Sequence, residues 1–314
     1  MNEVSSVTAS SSPVTRESSR LLLIGGNGML AKKIASVAPE GYKVTAVDLP
    51  DFDMTNRDLV LAYIEDLKPD IIVNCAAFTN VDGCETERSL AEQVNGVAVG
   101  YLAEAAKQVG AVLVHISTDY VFDGTKNSPY VEADPTNPQS AYGRSKLSGE
   151  RAILSSGLEN FFIVRTSWLY GPGGNNFVET IIRLSKERTD LGIVADQVGS
   201  PTYTEDLAKA VFALLDVSSS HRAQVSSPYG IYHFSNEGQC SWYEFAVEIA
   251  KVARLNGESL KVEKIKPINT EDYPLPAKRP AYSVFSKKKY CMATGRNLPA
   301  WQDSLARYMA ERGE

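Results

Sequence analysis

Arg20-Leu-Leu-Leu-Ile-Gly-Gly-Asn-Gly-Met-Leu-Ala-Lys-Lys-Ile34 decides the fold. An apolar run strikes glycines and resumes with helical spacing, the pattern of a strand, a tight turn and a helix that opens a dinucleotide-binding unit. Gly25, Gly28 and Ala31 give Gly-x-x-Gly-x-x-Ala. Glycine lets the backbone approach a pyrophosphate, and the first turn of the helix offers it free N–H donors and a favourable dipole. Asn27, Met29 and Leu30 share that turn and are candidate cofactor contacts with Gly25 and Gly28. Ala31 in the third place still permits close packing of helix on strand. An ordinary strand-to-helix turn has the same appearance, so the weight falls on residues further down the chain.

Tyr42-Lys-Val-Thr-Ala-Val-Asp48 reads as a second strand ending in an acid about 20 residues past the glycines, where a carboxylate accepts hydrogen bonds from an adenosine ribose. Asp48 therefore favours NADH over NADPH. Asp53 and Met54 can flank the adenine, or can belong to the cap of the next helix, which Thr55-Asn-Arg-Asp introduces. Asp70-Ile-Ile-Val-Asn-Cys-Ala-Ala77 is apolar without alternation, as expected of a parallel strand covered on both faces. Ligands sit beyond the carboxyl ends of such strands. Cys75, Ala76, Ala77 and Thr79 are therefore placed at the cofactor, the small alanines letting it lie close. Residues 91–108 predict one long helix, and Ala111-Val-Leu-Val-His-Ile-Ser-Thr118 another buried strand. His115 lies inside that strand and reads as a packed core histidine.

Ser140-Ala-Tyr-Gly-Arg-Ser-Lys146, continuing as a helix, puts Tyr142 and Lys146 on one face. A phenol is a poor acid-base group at neutral pH unless a nearby cation stabilises its phenolate, and Lys146 can supply that charge. A bare Tyr-x-x-x-Lys also arises by chance from a solvated pair. Ser117-Thr-Asp-Tyr120 upstream supplies the context.

Composition sets the outer limits. The chain has 314 residues, 43% hydrophobic and 22% charged, with a net charge of −6. This describes a globular protein, read here as α/β: a Rossmann-type doubly wound parallel sheet with a smaller α/β substrate-binding lobe. The acidic balance argues against a nucleic-acid partner, because the largest basic cluster is Lys287-Lys-Lys289, read as a solvated helix start. No apolar run suits a membrane span, and the four cysteines lack Cys-x-x-Cys spacing, which suits a reducing cytoplasm. Residues 1–19 read as a disordered tail without the features of a secretory signal. Residues 20–170 are assigned to dinucleotide binding, with 204–236 returning to that domain, and 171–203 with 237–314 to the substrate lobe.

In that second half, helical spacing follows Asn176 and Thr204, a short strand is predicted near Gly192, and Ser218 to Ser227 reads as an exposed loop. Gly230-Ile-Tyr-His-Phe-Ser235 predicts a strand, residues 240–255 an amphipathic helix, and residues 265–280 a proline-punctuated segment wrapping the lobe.

Taken together, Gly25-x-x-Gly28, Cys75-Ala-Ala-Phe-Thr-Asn-Val-Asp82, Ser117-Thr-Asp-Tyr-Val-Phe-Asp-Gly124 and Tyr142-Gly-Arg-Ser-Lys146 resemble extended short-chain dehydrogenase/reductases, specifically the dTDP-4-dehydrorhamnose reductase family. Arg165-Thr-Ser-Trp-Leu-Tyr-Gly171, Gly174-Asn-Asn-Phe177, Asp196-Gln-Val-Gly-Ser-Pro-Thr202 and Arg279-Pro-x-x-Ser283 extend the resemblance over about residues 20 to 310. It implies an NAD(P)H-dependent reductase of a dTDP-4-keto-6-deoxy hexose. Tyr142 would protonate the carbonyl oxygen, Lys146 would hold the nicotinamide ribose and depress the tyrosine pKa, and Thr118 would bond the same oxygen. Asp119 and Tyr120 would border the sugar; Trp168, Asn176, Gln197 and Arg279 would contact the nucleotide sugar. Trp168 as core packing and Arg279 in a surface ion pair are the plainer readings. Relatives reduce other nucleotide-linked 4-keto sugars, and one branch is a non-catalytic regulatory subunit, which intact Thr118, Tyr142 and Lys146 disfavour. Some members bind a metal between subunits through glutamates; Lys32 and Lys33 stand in the matching helix here, so no metal is assigned and a monomer or homodimer is left open.

Overall fold

The computed structural model describes residues 18–219 and 227–312. Its organising element is a six-stranded sheet of β1 (Ser19–Ile24), β2 (Tyr42–Val47), β3 (Ile71–Asn74), β4 (Val112–Thr118), β5 (Phe161–Thr166) and β10 (Gly230–His233), in the order β10-β5-β4-β3-β1-β2. Every neighbouring pair is parallel. Because side chains alternate along a strand, Leu21 and Leu23 enter one core and Leu22 and Ile24 the other. The first core closes under α1 (Met29–Ser36) and α8 (Thr204–Ser219), which contribute Ile34, Leu207 and Val211. The second closes under α2 (Arg57–Leu67), α5 (Ala98–Val109) and α6 (Ala141–Ser155), through Ile64, Leu102 and Ile153.

Local signals set the helix ends. The Asn56 side chain accepts from Leu59 N at 3.2 Å to start α2, so the cap falls there and not at Asp53. Ser140 accepts from Gly143 N at 3.1 Å to start α6. The long helix predicted over 91–108 is interrupted: α3 (Gly83–Thr86) and α4 (Arg88–Glu92) lead into a π turn at Gln93–Val97 before α5. There the Asn95 side chain leaves the helix register to bond Phe78 N (2.8 Å), Phe78 O (3.0 Å) and Ser145 Oγ (3.0 Å).

A third core, around Tyr170, Ile181, Tyr203, Phe245 and Tyr308, lies among α7 (Phe177–Glu187), α9 (Trp242–Leu255) and α11 (Trp301–Arg312). Short sheets frame it: β6 (Leu169–Tyr170) with β9 (Thr202–Tyr203), β7 (Asp190–Val194) with β12 (Lys264–Ile268), and β8 (Val198–Gly199) with β11 (Cys240–Ser241). The segment predicted to wrap the lobe thus begins as a strand, because β7 offers it a parallel edge. Lys287 precedes α10 (Lys288–Thr294), buried and 3.7 Å from Glu237, while Lys289 donates to Ile231 O at 2.7 Å. The basic run is therefore a helix start as read, exposed at Lys288 and Lys289, with Lys287 alone buried. Ser19 belongs to β1, and Ser218 and Ser219 end α8; residues 1–17 of the predicted tail and most of the predicted serine-rich loop lie outside the described residues. No helix among the described residues is long and apolar enough to cross a membrane.

Candidate active site

The strand order reverses between β1 and β3, and a cavity of 880 Å³ opens beyond the carboxyl ends of the sheet. This is where an open parallel sheet leaves a crevice. Gly25 has φ +82°, and a Cβ there would lie 2.7 Å from Ala76 N, so β1 and β3 approach too closely at the turn for any larger residue. Gly28 caps α1 without a side-chain hydrogen bond, which leaves the first-turn N–H groups for a ligand. Asp48 lines the same cavity while accepting from Asn27 N and Leu49 N, each at 2.8 Å, so it also pins the glycine loop. Met29, Leu30, Asp53, Met54, Cys75, Ala76, Ala77 and Thr79 complete that wall. Asp53 bonds Thr55 N (2.9 Å) and Thr55 Oγ1 (2.7 Å) as a turn. Every residue assigned to the cofactor from sequence thus lies on one wall, and the free helix terminus together with the small residues fits a dinucleotide.

Thr118, Asp119 and Tyr120, at the end of β4, meet Tyr142 and Lys146 of α6 in the same cavity. The helix can reach them because residue 143 is glycine: a Cβ there would lie 2.2 Å from Tyr120 O. Tyr120 and Tyr142 pack edge to face, 5.4 Å between centroids. Burial pushes the Tyr142 phenol above its ordinary value, the Thr118 hydroxyl acting the other way. The Lys146 Nζ donates to Ile116 O at 2.7 Å and lies 3.4 Å from His115 Nε2. Burial lowers Lys146 to about 8, against the pull of Glu150 and Cys75. The Asp119 Oδ1 accepts from Thr118 Oγ1 at 3.0 Å, while Oδ2 has no hydrogen-bond partner. Burial raises this carboxyl to about 6, the Ser283 and Thr118 hydroxyls acting the other way.

Trp168 forms the far wall. Its φ of +48° is unfavourable for a bulky side chain, on the order of 1–3 kcal/mol, and its ring stacks 3.5 Å from that of Trp242. Both rings line the cavity, so Trp168 is more than core packing. Asn176, Gln197 and Arg279 do not line it. Asn176 caps α7, accepting from Glu179 N at 3.1 Å and donating to Gly171 O at 2.9 Å. Gln197 donates to Thr270 Oγ1 at 3.0 Å. Arg279 forms a two-pronged pair with Asp82, 2.8 Å on each prong, and this partner holds the Asp82 carboxyl below its usual range. These three polar groups have partners within the chain, the plainer reading for Arg279 among them. Sequence reading misses Trp242, and misses Asn74, which joins His115 behind the cavity; neither carries a motif. His115 is buried inside β4, as read, and there lies 3.4 Å from Lys146 Nζ. Among the described residues no three His, Cys, Asp or Glu side chains are grouped to hold a metal ion.

Comparison with known proteins agrees with this geometry. Residues 19–313 match the family model described as RmlD substrate binding domain. A dTDP-4-dehydrorhamnose reductase of Aggregatibacter actinomycetemcomitans is 42% identical over 91% of this chain and 97% of its own length. The crystal structure of a dTDP-4-dehydrorhamnose reductase from Clostridium acetobutylicum superposes with a TM-score of 0.86 at 42% identity, covering 94% of this chain and all (100%) of the other. One from Bacillus anthracis, in complex with NADP, gives 0.86 at 40% identity over 93% and 99%. With sequence and fold in agreement over nearly the whole chain, the chain belongs to the dTDP-4-dehydrorhamnose reductase family.

Proposed function

We propose that this chain reduces the 4-keto group of a dTDP-linked 4-keto-6-deoxy hexose, dTDP-4-dehydrorhamnose to dTDP-L-rhamnose, as a cytoplasmic enzyme. The observation that carries the reading is the meeting of Thr118, Tyr142 and Lys146 in the cavity that the glycine loop also lines. A reduced nicotinamide dinucleotide, when bound, supplies the hydride. Tyr142, kept protonated by its raised pKa, gives its proton to the substrate oxygen, and Thr118 holds that oxygen in place. Lys146 is cationic in most molecules at pH 7, which suits it to ribose hydroxyls and to the phenolate left on Tyr142. Asp119, Tyr120 and the Trp168–Trp242 wall border the sugar, and residues 171–203 and 237–314 form the lobe that closes on it. Arg279 reaches a pyrophosphate only by exchanging Asp82 for it, and Asn176 and Gln197 act by shaping the loops that carry them.

Asp48 supports a preference for NADH, since a carboxylate beside a 2′-phosphate is a like-charge conflict of a few kcal/mol at short range. The test monitors cofactor absorbance with purified protein, the keto sugar and either NADH or NADPH, for wild type and Tyr142→Phe. Tyr142→Phe should lose roughly a hundredfold to ten-thousandfold in turnover with cofactor affinity intact. A variant that keeps half the wild-type turnover removes Tyr142 from proton donation. Tight cofactor binding without turnover on any keto sugar points instead to a regulatory subunit.

A further inference from the structure

We infer that Asn74 and His115 act as a positioning pair that fixes the imidazole tautomer facing Lys146 and so sets how readily Lys146 gives up its proton. The inference rests on the role proposed above for Lys146. It begins in the sheet: β3 and β4 pair Asn74 with His115, which sets both side chains on the same face. Both are buried.

The amide of Asn74 has one possible orientation. Ala76 N lies 3.1 Å from Oδ1, and a backbone N–H can only donate, so that end of the amide is the oxygen. The other end, Nδ2, lies 3.1 Å from His115 Nδ1. An amide nitrogen also only donates, so Nδ1 must be the acceptor. Burial and the neighbouring Lys146 keep His115 neutral, with a pKa well below its ordinary value, and a neutral ring has one proton. That proton is therefore on Nε2, which lies 3.4 Å from Lys146 Nζ.

An ammonium has no lone pair to accept from Nε2–H, whereas an amine has one. The contact thus favours Lys146 as the amine, while Ile116 O at 2.7 Å accepts from it in either state and fixes its place. The remaining groups facing Lys146 have the opposite bias or none. Glu150, one turn on in α6, favours the cation, although Arg165 of β5 and Ser117 of β4 already engage its carboxylate. Cys75, past β3, is a neutral thiol pushed up to about 12 by burial. Tyr142, on the same helix, is protonated. Lys146 in consequence titrates close to physiological pH instead of acting as a permanent charge.

The full-length protein with 15N-labelled histidine tests this by NMR without any change to the pair. His233 provides the internal contrast, because its Nδ1 lies 3.1 Å from Tyr130 O and must carry the proton there. His115 should show the opposite tautomer, and a proton on its Nδ1 would overturn the inference. A second measurement takes 13Cε-labelled lysine through a pH titration, with Lys146 assigned by the signal lost in Lys146→Arg. In Asn74→Leu the ring is free to turn a lone pair to Lys146, so its midpoint should rise by about one pH unit, with the basic limb of the kcat profile. An unchanged midpoint in folded Asn74→Leu overturns it also; should that variant not fold, the wild-type tautomer decides. Lys146→Ala separates the two readings: full turnover there removes Lys146 from catalysis but leaves the tautomer as it is.

Discussion

Glu150→Gln should be among the most destabilising single changes in the cofactor-side half of the molecule. Glu150 and Arg165 are buried together, with side chains 1% and 3% exposed. The carboxylate accepts from Arg165 Nη2 at 2.6 Å, Arg165 Nε at 2.9 Å and Ser117 Oγ at 2.5 Å. Glutamine has nearly the same shape but no charge, and it turns an NH2 toward either the guanidinium or Ser117. Arg165 then keeps at most the neutral amide oxygen, with the Phe122 ring at 5.1 Å and His233 Nε2 at 3.5 Å, none of which carries a negative charge. Leaving one member of a buried pair uncompensated costs about 3–5 kcal/mol. At 1.36 kcal/mol per factor of ten, the ratio of folded to unfolded protein falls roughly 150- to 5,000-fold. Urea unfolding at pH 7, monitored by both far-ultraviolet circular dichroism and fluorescence, measures it. The double variant Glu150→Leu/Arg165→Met removes both charges and should recover most of the loss. A cost below about 1 kcal/mol for Glu150→Gln, or a double variant no better than the single, would refute the reasoning.

Two further outcomes concern the site. Gly143→Ala puts a methyl 2.2 Å from Tyr120 O, so α6 must retreat from the turn after β4; stability should fall by about 1–3 kcal/mol and turnover by more than tenfold, and kinetics equal to wild type would show that this contact does not place Tyr142. Asp119 has a folded pKa raised from 3.8 to about 6, so the stability tied to its protonated form is full below pH 4 and is lost as pH rises through 6. Asp119→Asn should therefore gain on wild type by up to about 3 kcal/mol between those limits and level off above them; a difference that stays flat from pH 4 to pH 7 would contradict the burial argument.

The parts legible in the sequence are those built from short spacings. Gly25 to Ala31, Asp48, Ala76 and Thr118 lie at or just past strand ends, and a parallel sheet places all such ends along one edge, so reading the strands amounts to reading that wall. Tyr142 and Lys146 share a face through one helical repeat. What escapes depends on partners far along the chain. Arg279 looks like a free anion receptor until the fold brings Asp82 against it, and Asn176 looks like a sugar contact until its side chain is spent on the start of α7. The link from His115 to Asn74 is invisible for the same reason: the β3–β4 register decides which neighbour His115 has on that side, and no local pattern encodes that register. Spacing alone makes Lys146 a fixed cation acting on Tyr142, and burial, which depends on the whole fold, changes that reading.

The stacked indoles have an optical consequence. The chain contains three tryptophans, and two of them, Trp168 and Trp242, lie face to face in the cavity wall with rings 9° from parallel. The third, Trp301, is buried and packs edge-on against Phe245. Transition dipoles held so close and so nearly aligned couple as one unit, which gives near-ultraviolet dichroism a band characteristic of the pair and shifts its emission from that of a lone indole. A sugar ring resting on Trp168 would disturb that unit and leave Trp301 as an unchanged reference. The protein thus has a built-in, label-free reporter on the substrate side of its cavity, whose dichroism lies at shorter wavelength than the reduced-nicotinamide absorbance that reports on the other.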